Sequence, residues 1–159
     1  LHQLIFDNLV DLDDRLRVVP RVAASLEHPD PLTYVARIRR DIHFHDGRGL
    51  TADDVVFTFG QMIDPAFTSP RKGGYRELAS VVATDPYTVV FTLRQPFPSF
   101  PINLMMPIVP KGADASLRDR PVGSGPYRFV RYAVDDQVEL EANSHYWAGP
   151  PKNRGLVMK

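Results

Sequence analysis

The sequence predicts an α+β fold of short strands and short helices, and three observations carry that prediction. Several short segments, residues 34–39 and 89–93 among them, alternate apolar and polar side chains as half-buried strands do. One segment, residues 51–63, instead repeats its apolar residues at helical spacing. Fifteen prolines among 159 residues fall mostly between these segments, so the elements are short and heavily punctuated.

In chain order, Leu4, Ile5, Leu9 and Val10 mark a short helical or turn-like opening. Asp11, Asp13 and Asp14 supply turn chemistry ahead of the alternating Leu16 and Val18, which predicts a small hairpin over residues 10–19. Pro20 suits the first turn of a helix, expected to run about two turns through Leu26 before Pro29 and Pro31 stop it. Tyr34, Ala36 and Ile38 then alternate with Val35, Arg37 and Arg39. The two arginines share a strand face, where solvated charge is the ordinary reason for them and an anion site the rarer one.

Ile42 and Phe44 lead into a turn at Asp46-Gly47, where glycine takes positive φ without steric cost. Thr51 with Asp54 three residues on forms a capping box, in a version shorter than the usual Glu or Gln. Asp53 and Asp54 also place negative charge at the positive end of the helix dipole, worth about 0.3–1 kcal/mol each. Val55, Phe59, Met62 and Ile63 make the apolar stripe, widened by Val56 and Phe57. Burial contributes about 1.5–3 kcal/mol per large side chain, so packing holds this helix while the cap sets where it starts. Pro65 ends it after Asp64.

Residues 67–75 (FTSPRKGGY) read as an exposed polar loop. Strands at 78–83 and 89–93 are joined by Asp85-Pro86-Tyr87-Thr88, with proline suited to a type I turn. A proline-rich stretch leads into a short helix at 102–106, residues 107–110 are extended, and 111–120 are polar. Pro121-Val122-Gly123-Ser124-Gly125-Pro126 precedes two strands, 127–132 and 137–142, linked through Asp135-Asp136. The tail holds Asn143-Ser144-His145-Tyr146-Trp147 and a last apolar stretch, 156–158.

Composition narrows the function. Nineteen basic residues balance nineteen acidic ones, so no basic excess argues for nucleic acid or a membrane surface. Without cysteine there are no disulfides, thiolate nucleophiles or thiolate metal sites. No apolar run reaches the ~18 residues of a membrane span. The chain begins at Leu1 without an initiator methionine or a basic-then-apolar leader, and reads as processed or as a segment of something longer.

Catalytic and metal motifs are each outweighed by plainer readings. His43 and His45 share a strand face beside Asp46, yet no third ligand stands at a recognisable spacing, and Asp46-Gly47 is ordinary turn chemistry. Gly123-Ser124-Gly125 lacks the spacing of a nucleophile elbow and precedes a strand, and the lysine and helix of a phosphate loop are missing. Between Pro121 and Pro126 these glycines read as a rigid crossing between two parts of the structure. The pairs Asp13/Asp14, Asp53/Asp54 and Asp135/Asp136 belong to turns or a cap.

The order of the motifs is more telling than any one of them. Phe44-His45-Asp46-Gly47 with Thr51-Ala52-Asp53-Asp54-Val55, then Pro96-Phe97-Pro98, then Gly123-Ser124-Gly125-Pro126-Tyr127 with Asn143…Tyr146-Trp147, resemble the family 5 extracellular solute-binding proteins. These are the peptide- and nickel-binding receptors of ATP-driven importers. Two departures are mild: Leu26-Glu27-His28 stand where a tryptophan is usual, and Ser124 where threonine is commoner. Family members are much longer, so the resemblance covers only their N-terminal part.

The resemblance implies a partial N-terminal lobe of the class II periplasmic-binding-protein-like fold, its sheets mostly antiparallel or mixed. Residues of about 6–123 would be a subdomain inserted into that lobe, and about 124–159 the return into its ligand-facing part. It also implies binding without catalysis and no cofactor. The expected partners are a peptide or related small solute, including a nickel chelate, and the permease subunits of an ABC importer. The location would be periplasmic or extracellular, with a lipid anchor on the full-length protein compatible with it. Ligand contacts carry over to Lys72 and Tyr75 with Arg71 nearby, and to Met105 and Met106. The alternative for these five is a mobile loop with solvated charges and two core methionines. A ligand-sensing domain of a transcriptional regulator is the rival function, and a hydrolase ranks last for want of a nucleophile–base pair.

Overall fold

The alternating segments and the helical stripe assemble into three antiparallel sheets in the computed structural model, which describes residues 1–133 and 137–159. One helical turn, α1 (His2–Ile5), precedes a hairpin of β1 (Val10–Leu12) and β2 (Val18–Pro20). Asp13 shapes the hairpin, its carboxylate accepting from the amides of Arg15 and Arg17.

The helix expected after Pro20 is a strand instead, β3 (Ala23–Asp30), with Leu26 opposite Ala36 and Glu27 opposite Val35 of β4 (Thr33–Ile38). Ala-Ala-Ser-Leu favours helix by only tenths of a kcal/mol per residue, and pairing with a neighbouring strand outweighs that. Pro29, read as a helix stop, sits in β3 at the edge of its sheet, where a missing N–H breaks no ladder. Residues 42–50 form a tight loop: Phe44 N–H donates to Arg48 O, Leu50 N–H to Ile42 O, and Gly47 takes a φ of +89°.

Helix α2 (Ala52–Ile63) begins at the Thr51 capping box, the Asp54 carboxylate accepting from the Thr51 amide at 2.8 Å. Asp54 does more than cap. It is only 3% exposed and also receives the Lys111 amide at 2.8 Å and Arg48 at 3.2 Å. The expected loop after α2 is ordered into a 3-10 helix, Pro70–Tyr75. Strands β5 (Leu78–Asp85) and β6 (Thr88–Leu93) follow as predicted, and the short helix α3 starts earlier than expected, at Phe100–Asn103. A second 3-10 turn, Ala115–Arg118, lies within the polar stretch. The last sheet is β7 (Tyr127–Ala133), β8 (Gln137–Ala142) and β9 (Gly155–Met158). Asp135-Asp136 lies outside the described residues.

Two cores result. The larger is built on the sheet of order β3-β4-β6-β5, with α2 packed against β5 and β6. Phe91 is its centre, in edge contact with Phe59 at 5.2 Å and Phe100 at 5.9 Å between ring centroids. The smaller joins Ile5 and Phe6 to Tyr127 and Leu140 of the last sheet. Between them runs the Gly123-Ser124-Gly125 crossing. A Cβ on Gly123 would stand 2.0 Å from the Ile5 carbonyl oxygen, and one on Gly125 2.6 Å from the Ile5 carbonyl carbon. Only glycine allows this approach.

Candidate functional site

A cleft of about 490 Å³ opens beside the junction of the two cores. Ile5 and Phe6 form one wall, Met62 from the last turn of α2 another, and Met106 a third, while Arg71 and Arg118 also border it. The extended segment after α3 is held in place by backbone bonding, with Ile108 N–H donating to Asp7 O and Val109 N–H to the Thr58 hydroxyl. Thr58 is buried on α2 and donates in turn to Asp54 O at 2.8 Å.

Of the five residues the sequence singles out, Arg71 and Met106 line this cleft, and the others do not. Arg71 is positioned by its 3-10 helix, which Ser69 caps by accepting from the Arg71 amide. Lys72 turns back, its ammonium donating to the carbonyls of Asp64 and Phe67. Tyr75 is buried and donates its hydroxyl to Asn103 O and Met106 Sδ; burial pushes its pKa up to about 12, so it stays a donor. Asn103 answers by donating to Gly74 O at 2.7 Å. Lys72 and Tyr75 therefore fasten the loop that carries Arg71 to α2 and α3. Met105 is half-buried against the larger core.

The sequence gives no sign of a second cluster, centred on Asp7. Its buried carboxylate accepts from Tyr146 OH at 2.8 Å, Trp147 Nε1–H at 2.9 Å and Ser124 OH at 3.3 Å, with Arg21 at 3.8 Å. The guanidinium groups of Arg21 and Arg39 both lie over the Trp147 ring, 5.2 and 4.6 Å from its centroid. Burial raises the Asp7 pKa, and the bonds from Trp147, Tyr146 and Ser124 with the charge of Arg21 only partly offset it. Ser124 is 1% exposed with its hydroxyl turned to this carboxylate, so the Gly-Ser-Gly segment is a packing device rather than a presented nucleophile.

The histidines divide in the same way. His43 is exposed, whereas His45 is half-buried and bonded to the crossing through both ring nitrogens. The Gly123 amide points at Nδ1, so Nε2 carries the proton and donates to Gly125 O at 3.0 Å. Among the described residues, no three His, Asp or Glu are placed to hold a metal. Arg37 and Arg39 part company too: Arg37 pairs with Glu27 while Arg39 stacks on Trp147.

Comparison with known proteins adds a common lineage. Residues 17–159 match the family described as bacterial extracellular solute-binding proteins, family 5 Middle. The chain is 30% identical to the oligopeptide-binding protein AppA of Bacillus subtilis, over 95% of this chain and 30% of that protein. With the di/tripeptide-binding protein 2 of Pseudomonas aeruginosa it is 31% identical, over 89% of this chain and 32% of the relative. Among solved structures, NikZ of Campylobacter jejuni in complex with Ni(L-His) superposes with a TM-score of 0.92 at 30% identity, covering 99% of this chain and 34% of that one. AppA of B. subtilis with a nonapeptide gives 0.91 at 31% identity, covering 98% and 34%. The chain thus spans about a third of the length of these relatives.

Proposed function

The chain belongs to the bacterial extracellular solute-binding proteins of family 5, and from that premise we propose that it forms one wall of the solute site in the binding component of an ABC-type importer. The solute is a peptide or a related small molecule, captured outside the cytoplasm and passed to permease subunits without being chemically changed. Residues of about 6–123 act as an inserted subdomain and about 124–159 as the return into the ligand-facing part of the lobe. The separation of the two cores on either side of the Gly123–Gly125 crossing supports that division.

The observation that carries the reading is the cleft itself. It has the size and largely apolar lining of a small-molecule site, and residues picked by resemblance alone, Arg71 and Met106, both border it. In this reading Arg71 and Met106 touch solute directly, while Lys72, Tyr75 and Met105 hold the surrounding segments. A second lobe closing by hinge motion completes the site.

Calorimetric titration of the intact protein with a peptide library tests it. Saturable binding by peptides is the expected result, together with weak or undetectable binding by residues 1–159 alone. An intact protein that binds no peptide overturns the peptide reading.

A further inference from the structure

Resting on the reading that this cleft receives the solute, we propose that Asp7 is a positioning residue for solute binding: its buried carboxylate, which does not border the cleft, fixes two of the cleft walls against the last sheet. The chain after α1 is extended at Phe6, so neighbouring side chains point to opposite sides. Phe6 borders the cleft, and Asp7 turns away from it into the junction, 4% exposed. Both walls meet at this residue. Ile5 and Phe6 lead into it from one side. From the other, Ile108 N–H donates to the Asp7 carbonyl at 3.0 Å, and Pro107 forms an antiparallel bridge with Asn8. Met106, Pro107 and Val109 of that segment also border the cleft.

Residues 6–9 lie outside the helices and named strands, so their place depends on a few bonds rather than on a ladder. The Asp7 carboxylate supplies three of those bonds, and each donor stands on a remote segment: Ser124 in the crossing, Tyr146 and Trp147 after β8. Tyr146 is held in turn by Arg21, whose Nη2 donates to its hydroxyl oxygen at 3.0 Å. None of these four side chains borders the cleft. Asp7 is what links them to the residues that do. Removing its carboxylate leaves the Trp147 N–H and the Tyr146 O–H, both half-buried, without their acceptor. Such donors admit water or draw the chain toward other acceptors. A wall that loosens by about 1 Å loses the fit its solute needs.

The test uses the intact protein, with the tightest-binding peptide of the library as probe. Calorimetry is run well below each variant's thermal midpoint, where a loss of stability alone leaves the dissociation constant unmoved. Asp7→Ala is expected to bind the peptide about tenfold or more weakly. Asp7→Asn should recover most of that loss, because its amide oxygen accepts from Trp147 while its NH2 donates to the Tyr146 oxygen. Trp147→Phe keeps an aromatic ring beside Arg21 and Arg39 but removes one donor, and should weaken binding severalfold from outside the cleft. Wild-type affinity in Asp7→Ala, with only the midpoint lowered, assigns Asp7 to stability alone and overturns this inference. An Asp7→Asn variant no better than Asp7→Ala places the effect in charge rather than position and overturns it too. Where Asp7→Ala does not fold, Trp147→Phe decides, and wild-type affinity there overturns the inference. Each of these results leaves the solute reading standing, whereas a wild-type protein that binds no library peptide overturns both.

Discussion

The sheet β3–β6 and the sheet β7–β9 meet the need for a buried apolar face by different means. The first is covered by α2 and the segment around Phe100, and its aromatic rings interlock at its centre. The second has α1 against it and four buried residues in its cluster, while Val130, Tyr132 and Val157 stand 48%, 61% and 59% exposed. What ties it to the larger core is polar and steric: the Asp7 carboxylate, the Arg21 and Arg39 guanidinium groups on Trp147 and two glycines pressed on Ile5. Stability in the first region therefore resides in packing, and in the second at the junction.

The largest effect that tests this contrast comes from paired truncations. Phe91→Ala should cost about 3–5 kcal/mol and Leu140→Ala about 2–3 kcal/mol, read by chemical denaturation. The distribution matters more than the totals. Amide exchange should rise throughout the molecule in the first variant, and chiefly in β7, β8 and β9 in the second. If Leu140→Ala exposes β4 and β6 equally, the two regions are one cooperative unit and the contrast fails.

Next comes the junction. Gly123→Ala places a methyl 2.0 Å from a backbone oxygen, so the chain must shift, at a cost of about 1–3 kcal/mol or more. Trp147 is the one tryptophan of the sequence and lies across that junction, so its emission should move to longer wavelength at temperatures where β4 and β6 remain protected. Gly73→Ala is the control, since nothing stands within 4 Å of its added Cβ. Equal losses from both substitutions would remove the junction's special role.

What could be read from the sequence follows the range over which each feature is encoded. The α2 cap, its apolar stripe and the hairpins are specified within a few residues, and they stand where expected. β3 escaped because its strand character comes from β4, not from Ala23-Ala24-Ser25-Leu26 themselves. Asp7 was invisible for a stronger version of the same reason: its partners Ser124, Tyr146 and Trp147 lie 117, 139 and 140 residues away. In the cleft, resemblance locates Arg71 and Met106; Met62 is the core residue its place in the α2 stripe predicts and also borders the cleft, whereas Arg118 reads as solvated loop until folding brings it there.

The smallest expected effect concerns protons at the junction. His45 keeps its ring neutral by burial, which lowers its pKa from the ordinary 6.5; Arg128 also lowers it, while the bond to Gly125 and the charges of Asp7 and Asp46 act the other way. Protonation would set an N–H on Nδ1 against the Gly123 amide that now points at it. The unfolded chain takes up that proton more readily than the folded one, so this contribution is present above pH 6.5 and is lost as pH falls through 6.5 toward the folded value. Asp7 works in the opposite sense. Its raised pKa means the folded state holds the proton more tightly than the unfolded chain, so its contribution is present below 3.8 and is lost as pH rises through the folded value. Comparing wild type with His45→Gln cancels the Asp7 slope, because both proteins carry it. The stability advantage of wild type over the variant should shrink as pH is lowered from 7.5 to 5. A difference that stays constant over that range would mean the ring holds the crossing without any linkage to protons, and the junction would then be steric alone.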